Sequence, residues 1–162
     1  MPKSNLIPEG LHPIMAITVG VAGNAASTFD WINCANAHAL YCVVHVKRAT
    51  AAPNYMVGYS ASNYAGTGSS QLSTGINFWT NTHTYDRFVA KTTSNSSTVT
   101  ASATGWLTIV ARLDTAALPS SHPFAAFALR SSSQAGNLHS ATYYLEQRYK
   151  GVAQFLATTS ST

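Results

Sequence analysis

Leu138-His-Ser-Ala-Thr-Tyr-Tyr-Leu-Glu-Gln-Arg-Tyr149 is the stretch that decides the fold, because its residues alternate in character from Ala141 onward. The two alternating sets are Ala141, Tyr143, Leu145 and Gln147 on one side, and Thr142, Tyr144, Glu146 and Arg148 on the other. Successive side chains of a strand point to opposite faces, so the pattern predicts a strand with one mainly apolar face and one polar face. We interpret the polar side (Tyr144, Glu146 and Arg148) as a subunit contact rather than a reaction site.

The stretch before it, Pro123 to Arg130, is also apolar, and a polar segment from Ser131 to Asn137 joins the two. This spacing predicts a terminal hairpin. Further upstream, Leu40 to Val46 is a near-continuous apolar run, which is typical of a central strand covered on both faces. That interpretation makes His45 a buried, hydrogen-bonded core histidine.

Short apolar or alternating segments separated by Gly, Ser and Pro turns recur along the chain. They predict an all-β fold, an antiparallel β-sandwich or jelly roll of about nine short strands. Further strands are expected at Thr28–Asn33, Gly75–Trp79, Tyr85–Ala90 (after a turn around Thr80–Asn81) and Gly105–Leu113. Asp114 is predicted to cap one helical turn that Pro119 ends. Ser60 to Ser73 is a long Gly- and Ser-rich loop, and loops of this length are functional or mobile.

The 162 residues are enough for one domain with a sizeable core. We expect an extended N-terminal arm at 1–13, a β-sandwich domain at 14–149 and a C-terminal tail at 150–162. The arm contains prolines but also the apolar residues Leu6, Ile7 and Leu11. It lies either along its own domain or against a neighbouring subunit, and we expect the neighbour. The predicted protein-interface residues are therefore Leu6, Ile7, Leu11, Tyr144, Glu146 and Arg148.

The composition indicates a folded subunit of an assembly. Only 9% of residues are charged while 46% are hydrophobic, which excludes a disordered chain. A weakly charged surface is typical of a protein covered by neighbours. The net charge is +4, but the basic residues are scattered and never form a run of three. We therefore expect no direct nucleic-acid binding, which needs a denser basic stripe.

Candidates for chemistry are few. The six histidines show no i, i+2 or i, i+4 pair, and the five acidic residues are isolated along the sequence. We therefore predict no catalytic residue, metal site or cofactor, and a protein that is not an enzyme. Cys34 and Cys42 would face each other only if residues 35–39 formed a hairpin loop, and we expect buried free thiols instead.

No membrane segment is expected, because the apolar run Ile14 to Ala22 is far shorter than the roughly 20 residues that span a bilayer. Pro8 and Glu9 separate Lys3 from this run, which is unlike a signal peptide, so we expect a soluble, unprocessed chain. The aromatic residues leave one alternative open. A carbohydrate-binding module would use Trp31, Trp79, Tyr55, Tyr59 and Tyr64. We favour the other interpretation, in which Trp31 and Trp79 are core residues and the tyrosines lie at strand ends or at an oligomer interface.

Five segments together resemble a known class of protein: Asp30-Trp31, the Leu40 to Val46 strand, Ile76-Asn-Phe-Trp79, the Trp106 to Leu113 strand with Asp114, and Ser140 to Tyr149. Phe29 to Tyr149 resembles the head decoration (cement) proteins of tailed bacteriophages. The resemblance implies a homotrimer at local three-fold axes, bound to the major capsid protein on the outside of the virion and stabilising the shell against DNA pressure. It implies assembly in the host cytoplasm and no catalytic residues. A phage tail or neck component is the alternative within the virion.

Overall fold

The computed structural model describes residues 11–22, 27–48, 54–73, 75–81, 88–90, 96–99, 105–131 and 138–148. Within these ranges the chain forms twelve strands, and every strand pairing is antiparallel. In chain order they are β1 (Leu11–Ala22), β2 (Ser27–Thr28), β3 (Ile32–Asn33), β4 (Ala37–Arg48), β5 (Asn54–Ala61), β6 (Ser70–Gln71), β7 (Ile76–Asn81), β8 (Val89–Ala90), β9 (Ser96–Val99), β10 (Gly105–Asp114), β11 (Phe124–Ser131) and β12 (Leu138–Gln147).

The strands form two sheets, as the sequence predicted for a sandwich. The front sheet has the order β1-β12-β4-β10-β7-β8. The back sheet has the order β2-β11-β5-β6, with β3 also paired to β11 and β9 to β5. The all-β, antiparallel sandwich is therefore confirmed. Four of the twelve strands (β2, β3, β6 and β8) are only two residues long.

The buried side chains of the described residues form one hydrophobic core that contains residues of both sheets. Its largest fully buried side chains include Tyr143 and Phe78 from the front sheet and Phe127 from the back sheet. Phe29, which follows β2, packs edge-on against the Tyr143 ring with a centroid distance of 6.5 Å. Each such side chain stabilises the fold by about 1.5–3 kcal/mol on burial.

The alternation in β12 is confirmed. Ala141, Tyr143 and Leu145 are buried in the core, whereas Tyr144 and Glu146 on the other face are half-buried. Because β12 is flanked by β1 and β4, both of its backbone edges carry hydrogen bonds. The strand identified from the sequence is thus an interior strand of the front sheet.

The predicted terminal hairpin is wrong, because β11 and β12 lie in different sheets. β11 pairs with β5 along one edge and with β2 and β3 along the other, so it has no edge left for β12. The segment between the two strands therefore connects the sheets. Neighbouring strands often pair, but alternation within a strand carries no information about which sheet it joins.

β4 lies inside the front sheet, between β12 and β10, as predicted for a central strand. Only one of its faces is fully covered: Cys42 and Val44 are buried, whereas Val43 is half-buried and His45 is exposed. The prediction that His45 is a core histidine is therefore wrong. The apolar run led to this wrong prediction because Val43, which faces outward, is as apolar as the buried residues beside it.

The predicted helical turn is confirmed as a 3-10 helix over Thr115–Ala117. The Asp114 carboxylate accepts a 3.1 Å hydrogen bond from the backbone N–H of Ala116, which satisfies a donor at the start of the helix. The Thr115 hydroxyl donates to the backbone carbonyl of Ala37 at 2.6 Å. The turn is thereby fixed to the start of β4.

Several predicted boundaries change. Thr80 and Asn81 belong to β7 rather than to a turn, and the predicted strand at Thr28–Asn33 is divided into β2 and β3. β1 begins at Leu11, so residues 11–13 of the predicted arm are in a strand. Pro13 is compatible with this because β1 lies at the edge of the sheet formed by the described residues, where proline need not donate to a neighbour. Residues 1–10 and the predicted tail at 150–162 lie outside the described residues.

Cys34 and Cys42 are free and buried, which confirms that interpretation. Burial raises the pKa of the Cys34 thiol to about 12, and it raises the pKa of Cys42 as well. Both sulfurs therefore stay protonated at neutral pH and act as small core side chains.

Candidate protein-interaction surfaces

The outward side of the front sheet is the most extensive candidate surface. We call it the outer face and define it by the outward residues of β12, β4 and β10. Antiparallel pairing aligns these residues in five rows across the three strands: Leu138–Lys47–Trp106, Ser140–His45–Thr108, Thr142–Val43–Val110, Tyr144–Tyr41–Arg112 and Glu146–Ala39–Asp114. The opposite sides of the same strands belong to the core. The outer face is therefore presented on a hydrogen-bonded, rigid support.

A polar network lies in the last two of these rows, which we call the lower end of the outer face. The Arg112 Nε donates to the Tyr41 hydroxyl at 3.2 Å, and that hydroxyl donates to Glu146 Oε2 at 3.2 Å. The Arg112 guanidinium carbon also lies 5.8 Å from the centre of the Tyr41 ring. The hydrogen bond with Tyr41 is the main cause that raises the pKa of Arg112, and the carboxylates of Asp114 and Glu146 add to it. One phenol thus holds two opposite charges in fixed positions.

The first row, Leu138–Lys47–Trp106, forms the upper end of the outer face and is more apolar. Trp106 is 52% exposed and Leu138 is 41% exposed, and both lie in the row of Lys47, which is also exposed. Single exposed apolar residues are common, but these two lie in one row of the same sheet face. Aromatic residues and arginine are enriched where proteins bind one another. The combination of Trp106, Tyr41 and Arg112 on the outer face therefore has the composition of a protein-contact surface.

The predicted interface residues divide into three groups. Tyr144 and Glu146 lie on the outer face and are half-buried. Arg148 follows β12 and is exposed, but its Nε donates to the Ala37 carbonyl at 2.8 Å, so it also fastens the end of β12 to the start of β4. Leu11 begins β1 opposite Glu146, and Leu6 and Ile7 lie outside the described residues. Contact of any of them with a partner stays a prediction.

The loop between β5 and β6 forms a second candidate surface. Asn63 Oδ1 accepts hydrogen bonds from the backbone N–H groups of Ala65 at 3.0 Å and Thr67 at 3.1 Å. The Ser62 hydroxyl donates to the Thr67 carbonyl at 2.9 Å. These bonds fold the loop tightly and leave Tyr64, at its tip, 62% exposed. Of the two sequence interpretations, functional or mobile, the hydrogen bonding favours a loop with one defined conformation.

This loop also packs closely against Trp31. Gly66 has φ +75°, and a Cβ at this position would lie 2.6 Å from Trp31 Nε1, so only glycine fits without displacement. Trp31 is half-buried, so it is more exposed than the core residue that the sequence predicted. Asn63 and Gly66 are residue types that favour turns. They were visible in the sequence, but the contact with Trp31 depends on the fold.

Two of the aromatic residues proposed for carbohydrate binding lie on opposite sides of the sandwich. Trp79 is half-buried in β7 of the front sheet, whereas Tyr59 is half-buried in β5 of the back sheet. A Cβ added at Gly58 would point into the sandwich, towards Ile76. Because successive residues of a strand face opposite sides, the Tyr59 side chain points away from the front sheet. Tyr64 projects from the loop, and the side chain of Tyr55 lies outside the described residues. Trp79 and Tyr59 therefore do not share one platform.

The described histidines occupy separate environments. His45 Nδ1 lies 3.0 Å from the Thr108 hydroxyl, and His122 Nδ1 lies 2.8 Å from the Ser121 hydroxyl. His139 is buried against Phe29, with ring centroids 6.2 Å apart. Among the described residues, no group of three or more His, Cys, Asp or Glu side chains is placed to hold a metal ion. No helix in the described ranges is long and apolar enough to cross a membrane.

No protein-family model matches the chain, and no curated protein matches it. Among solved structures, it is similar to the SPBc2 prophage-derived protein YomS, with 10% sequence identity and a TM-score of 0.44. The match covers 84% of this chain and 93% of that chain. A similarity of this degree leaves the function open. The proposed function therefore rests on the residues of this chain.

Proposed function

We propose that this chain is a non-enzymatic structural protein of a phage virion that binds the outer surface of the capsid and stabilises the shell. Its partner is the major capsid protein, and its own copies associate as a homotrimer at local three-fold axes. The observation that carries the proposal is the outer face of the front sheet, where exposed apolar residues, tyrosines and Arg112 lie on a rigid support. The sequence resemblance to decoration proteins supplies the identity of the partner.

The outer face suits contacts between copies of the chain, because its charges already have partners or lie at its ends. Arg112 and Glu146 are both bonded to Tyr41, so a covering protein does not have to neutralise them. Burying paired charges costs less than burying isolated ones. Burial of exposed apolar residues such as Trp106 then contributes favourably to the free energy of association.

We assign the capsid contact to the loop of residues 62–69. Tyr64 is highly exposed, yet the loop that carries it is fixed by Asn63 and by the contact of Gly66 with Trp31. A rigid aromatic side chain loses little conformational entropy on binding, and such residues are frequent binding hot spots. Many weak contacts of this kind give firm attachment when several copies bind one shell.

The test uses shells assembled from the major capsid protein encoded in the same genome. Purified chain is mixed with these shells, and the bound copies are counted after sedimentation. We expect saturable binding, and at least a tenfold weaker affinity for Tyr64→Ala, which corresponds to a typical hot-spot loss of about 1.4 kcal/mol or more. Phe88→Ala is the matched control, because Phe88 is 46% exposed but lies outside the loop.

A shell that binds no more protein than an unrelated control overturns the capsid proposal. Equal losses for Tyr64→Ala and Phe88→Ala overturn the assignment of the loop but leave the capsid proposal standing. A variant lacking residues 1–13 is expected to fold and to attach or trimerise less well, as predicted for the arm. Because this deletion also removes the first three residues of β1, a second variant lacking only residues 1–10 separates the arm from the strand. Binding to tails instead of shells favours the alternative of a tail or neck component.

A further inference from the structure

A second turn lies beside the loop of residues 62–69. It comprises residues 119–122, just before β11, and the backbone N–H of His122 donates to the Pro119 carbonyl at 2.9 Å. A Cβ placed on Gly68 would lie 3.7 Å from His122 Nε2 and 3.9 Å from Ser62 Oγ. The imidazole of His122 therefore faces the loop where Gly68 leaves the space of a side chain open.

One ring nitrogen of His122 is accessible to a partner. The other, Nδ1, lies 2.8 Å from the Ser121 hydroxyl, and the described part of the chain offers no hydrogen bond to Nε2. In that part of the chain, the buried side-chain nitrogens and oxygens without a partner all belong to His139. His122 is half-buried, so its unpartnered Nε2 is reached by solvent. When Ser121 donates to Nδ1, the ring proton lies on Nε2, which is then a donor.

The loop and the turn have the composition of a recognition surface without charge. Residues 62–69 read Ser-Asn-Tyr-Ala-Gly-Thr-Gly-Ser and residues 119–122 read Pro-Ser-Ser-His, with no Asp, Glu, Lys or Arg. Tyr, Ser, Gly and Asn are the residues that antibody loops use to recognise protein surfaces. Tyr64 and Gly68 are four residues apart, so at most roughly 14 Å separates them. A standard interface of about 800 Å² per partner covers both positions.

We propose that His122 completes the capsid-binding surface, and that the partner is an uncharged surface of the major capsid protein that offers an oxygen acceptor to Nε2. This inference rests on the proposed function, since it specifies the partner of the same loop. The absence of a side chain at Gly68 leaves room for that oxygen to approach Nε2. Both binding side chains have fixed support, His122 from Ser121 and Tyr64 from the hydrogen bonds of Asn63.

Binding through this uncharged surface is insensitive to salt. The chain has a net charge of +4, so attachment through its basic residues would weaken as salt screens them. Attachment through the loop and the turn is expected to change by less than about twofold between about 50 mM and about 500 mM NaCl. Asp30 is exposed and precedes Trp31, and a contact that included its carboxylate would add a dependence on salt.

The test measures binding of the full chain to shells of the major capsid protein. His122→Ala is expected to bind at least about tenfold more weakly, as for a binding hot spot. His122→Gln keeps a side-chain N–H donor and is expected to recover most of the lost affinity. His38→Ala is the matched control, because His38 is exposed in β4, outside both the loop and the turn.

Gly68→Ala is a second variant that leaves His122 unchanged and places a methyl group where the partner oxygen approaches. It is expected to weaken shell binding as well, and urea denaturation verifies that each variant is folded. Wild-type chain that does not bind shells overturns the proposed function and this inference together. Shells that bind the wild type and His122→Ala equally well overturn this inference alone. The same holds for equal losses in His122→Ala and His38→Ala, or for binding that weakens about tenfold or more in high salt.

Discussion

The hydroxyl of Tyr143 accepts a 2.9 Å hydrogen bond from the backbone N–H of Phe127, across the interior of the sandwich. Phe127 lies in β11, where the partner strand is interrupted between β2 and β3. Its carbonyl accepts from the Phe29 N–H, and no strand of the described residues pairs with its own N–H on that side. A side chain from β12 supplies the missing acceptor. Tyr143 thus links the two sheets at a position where a buried donor would otherwise be unsatisfied.

Replacing Tyr143 by phenylalanine tests this link. The substitution keeps the ring in the core but leaves the Phe127 N–H buried without an acceptor, which costs about 1–3 kcal/mol. We expect a free energy of unfolding lower by that amount in urea denaturation. Tyr144→Phe is the control, because Tyr144 lies on the outer face, and its effect should stay within about 0.5 kcal/mol. Equal effects of the two substitutions would show that the hydrogen bond is unimportant.

Glycine at position 66 is required for the loop conformation. Gly66→Ala combines a positive φ of +75° with a Cβ 2.6 Å from Trp31 Nε1, whereas Gly68→Ala has φ +65° and no atom closer than 3.7 Å. Both should destabilise the fold through the left-handed backbone, by about 1 kcal/mol. Gly66→Ala should cost more and should shift the tryptophan fluorescence. A similar loss for both variants would mean that the loop does not pack on Trp31.

The stability of the protein should fall in mild acid because of His139. Its ring is buried, neither ring nitrogen has a hydrogen-bond partner in the described part of the chain, and burial lowers its pKa. The unfolded chain, with a histidine pKa of about 6.5, therefore binds a proton more readily than the folded chain. The free energy of unfolding therefore has its full value above about pH 6.5. It decreases as the pH falls from there towards the pKa of His139 in the folded chain, by up to about 1.4 kcal/mol per pH unit.

Urea denaturation at pH 7.5 and pH 5.5 measures this effect. His139→Leu should reduce the difference in the free energy of unfolding between the two pH values. His38→Gln, at an exposed position, should leave that difference as in the wild type. An unchanged pH dependence in the His139 variant would contradict the role of this residue.

The two thiols should be unreactive in the folded protein. Burial raises the pKa of Cys34 to about 12 and raises that of Cys42 as well, and the thiolate is the reactive form. At pH 8 we expect negligible reaction of the native protein with a disulfide reagent, and two thiols per chain in denaturant. Rapid reaction of either cysteine without denaturant would mean that the core around it opens easily.

The sequence predicted best where a pattern is local. The alternation around Tyr143 identified β12 and its two faces, and Asp114 followed by Pro119 identified the capped turn. Both depend only on residues within a few positions of one another. The same reasoning failed for His45, because an apolar run does not distinguish a half-covered strand from a fully covered one.

The arrangement of the strands was harder to predict, because it depends on pairings between distant residues. The apolar pattern of residues 123–130 is compatible with either sheet, and only the pairing of β11 with β5 excludes the hairpin. The outer face also depends on pairings between distant residues. Tyr41, Arg112 and Glu146 are far apart in the sequence, and the register of three strands brings them together. Of that network, the alternation in β12 indicated only Glu146.

The most direct test of the central claim is cryo-electron microscopy of shells of the major capsid protein after incubation with the purified chain. The proposed function predicts added density on the outside of the shell at the local three-fold axes. The added density should accommodate the two-sheet sandwich and place residues 62–69 against the shell. A map with no added density, or virions that carry the chain only on their tails, would contradict the capsid function.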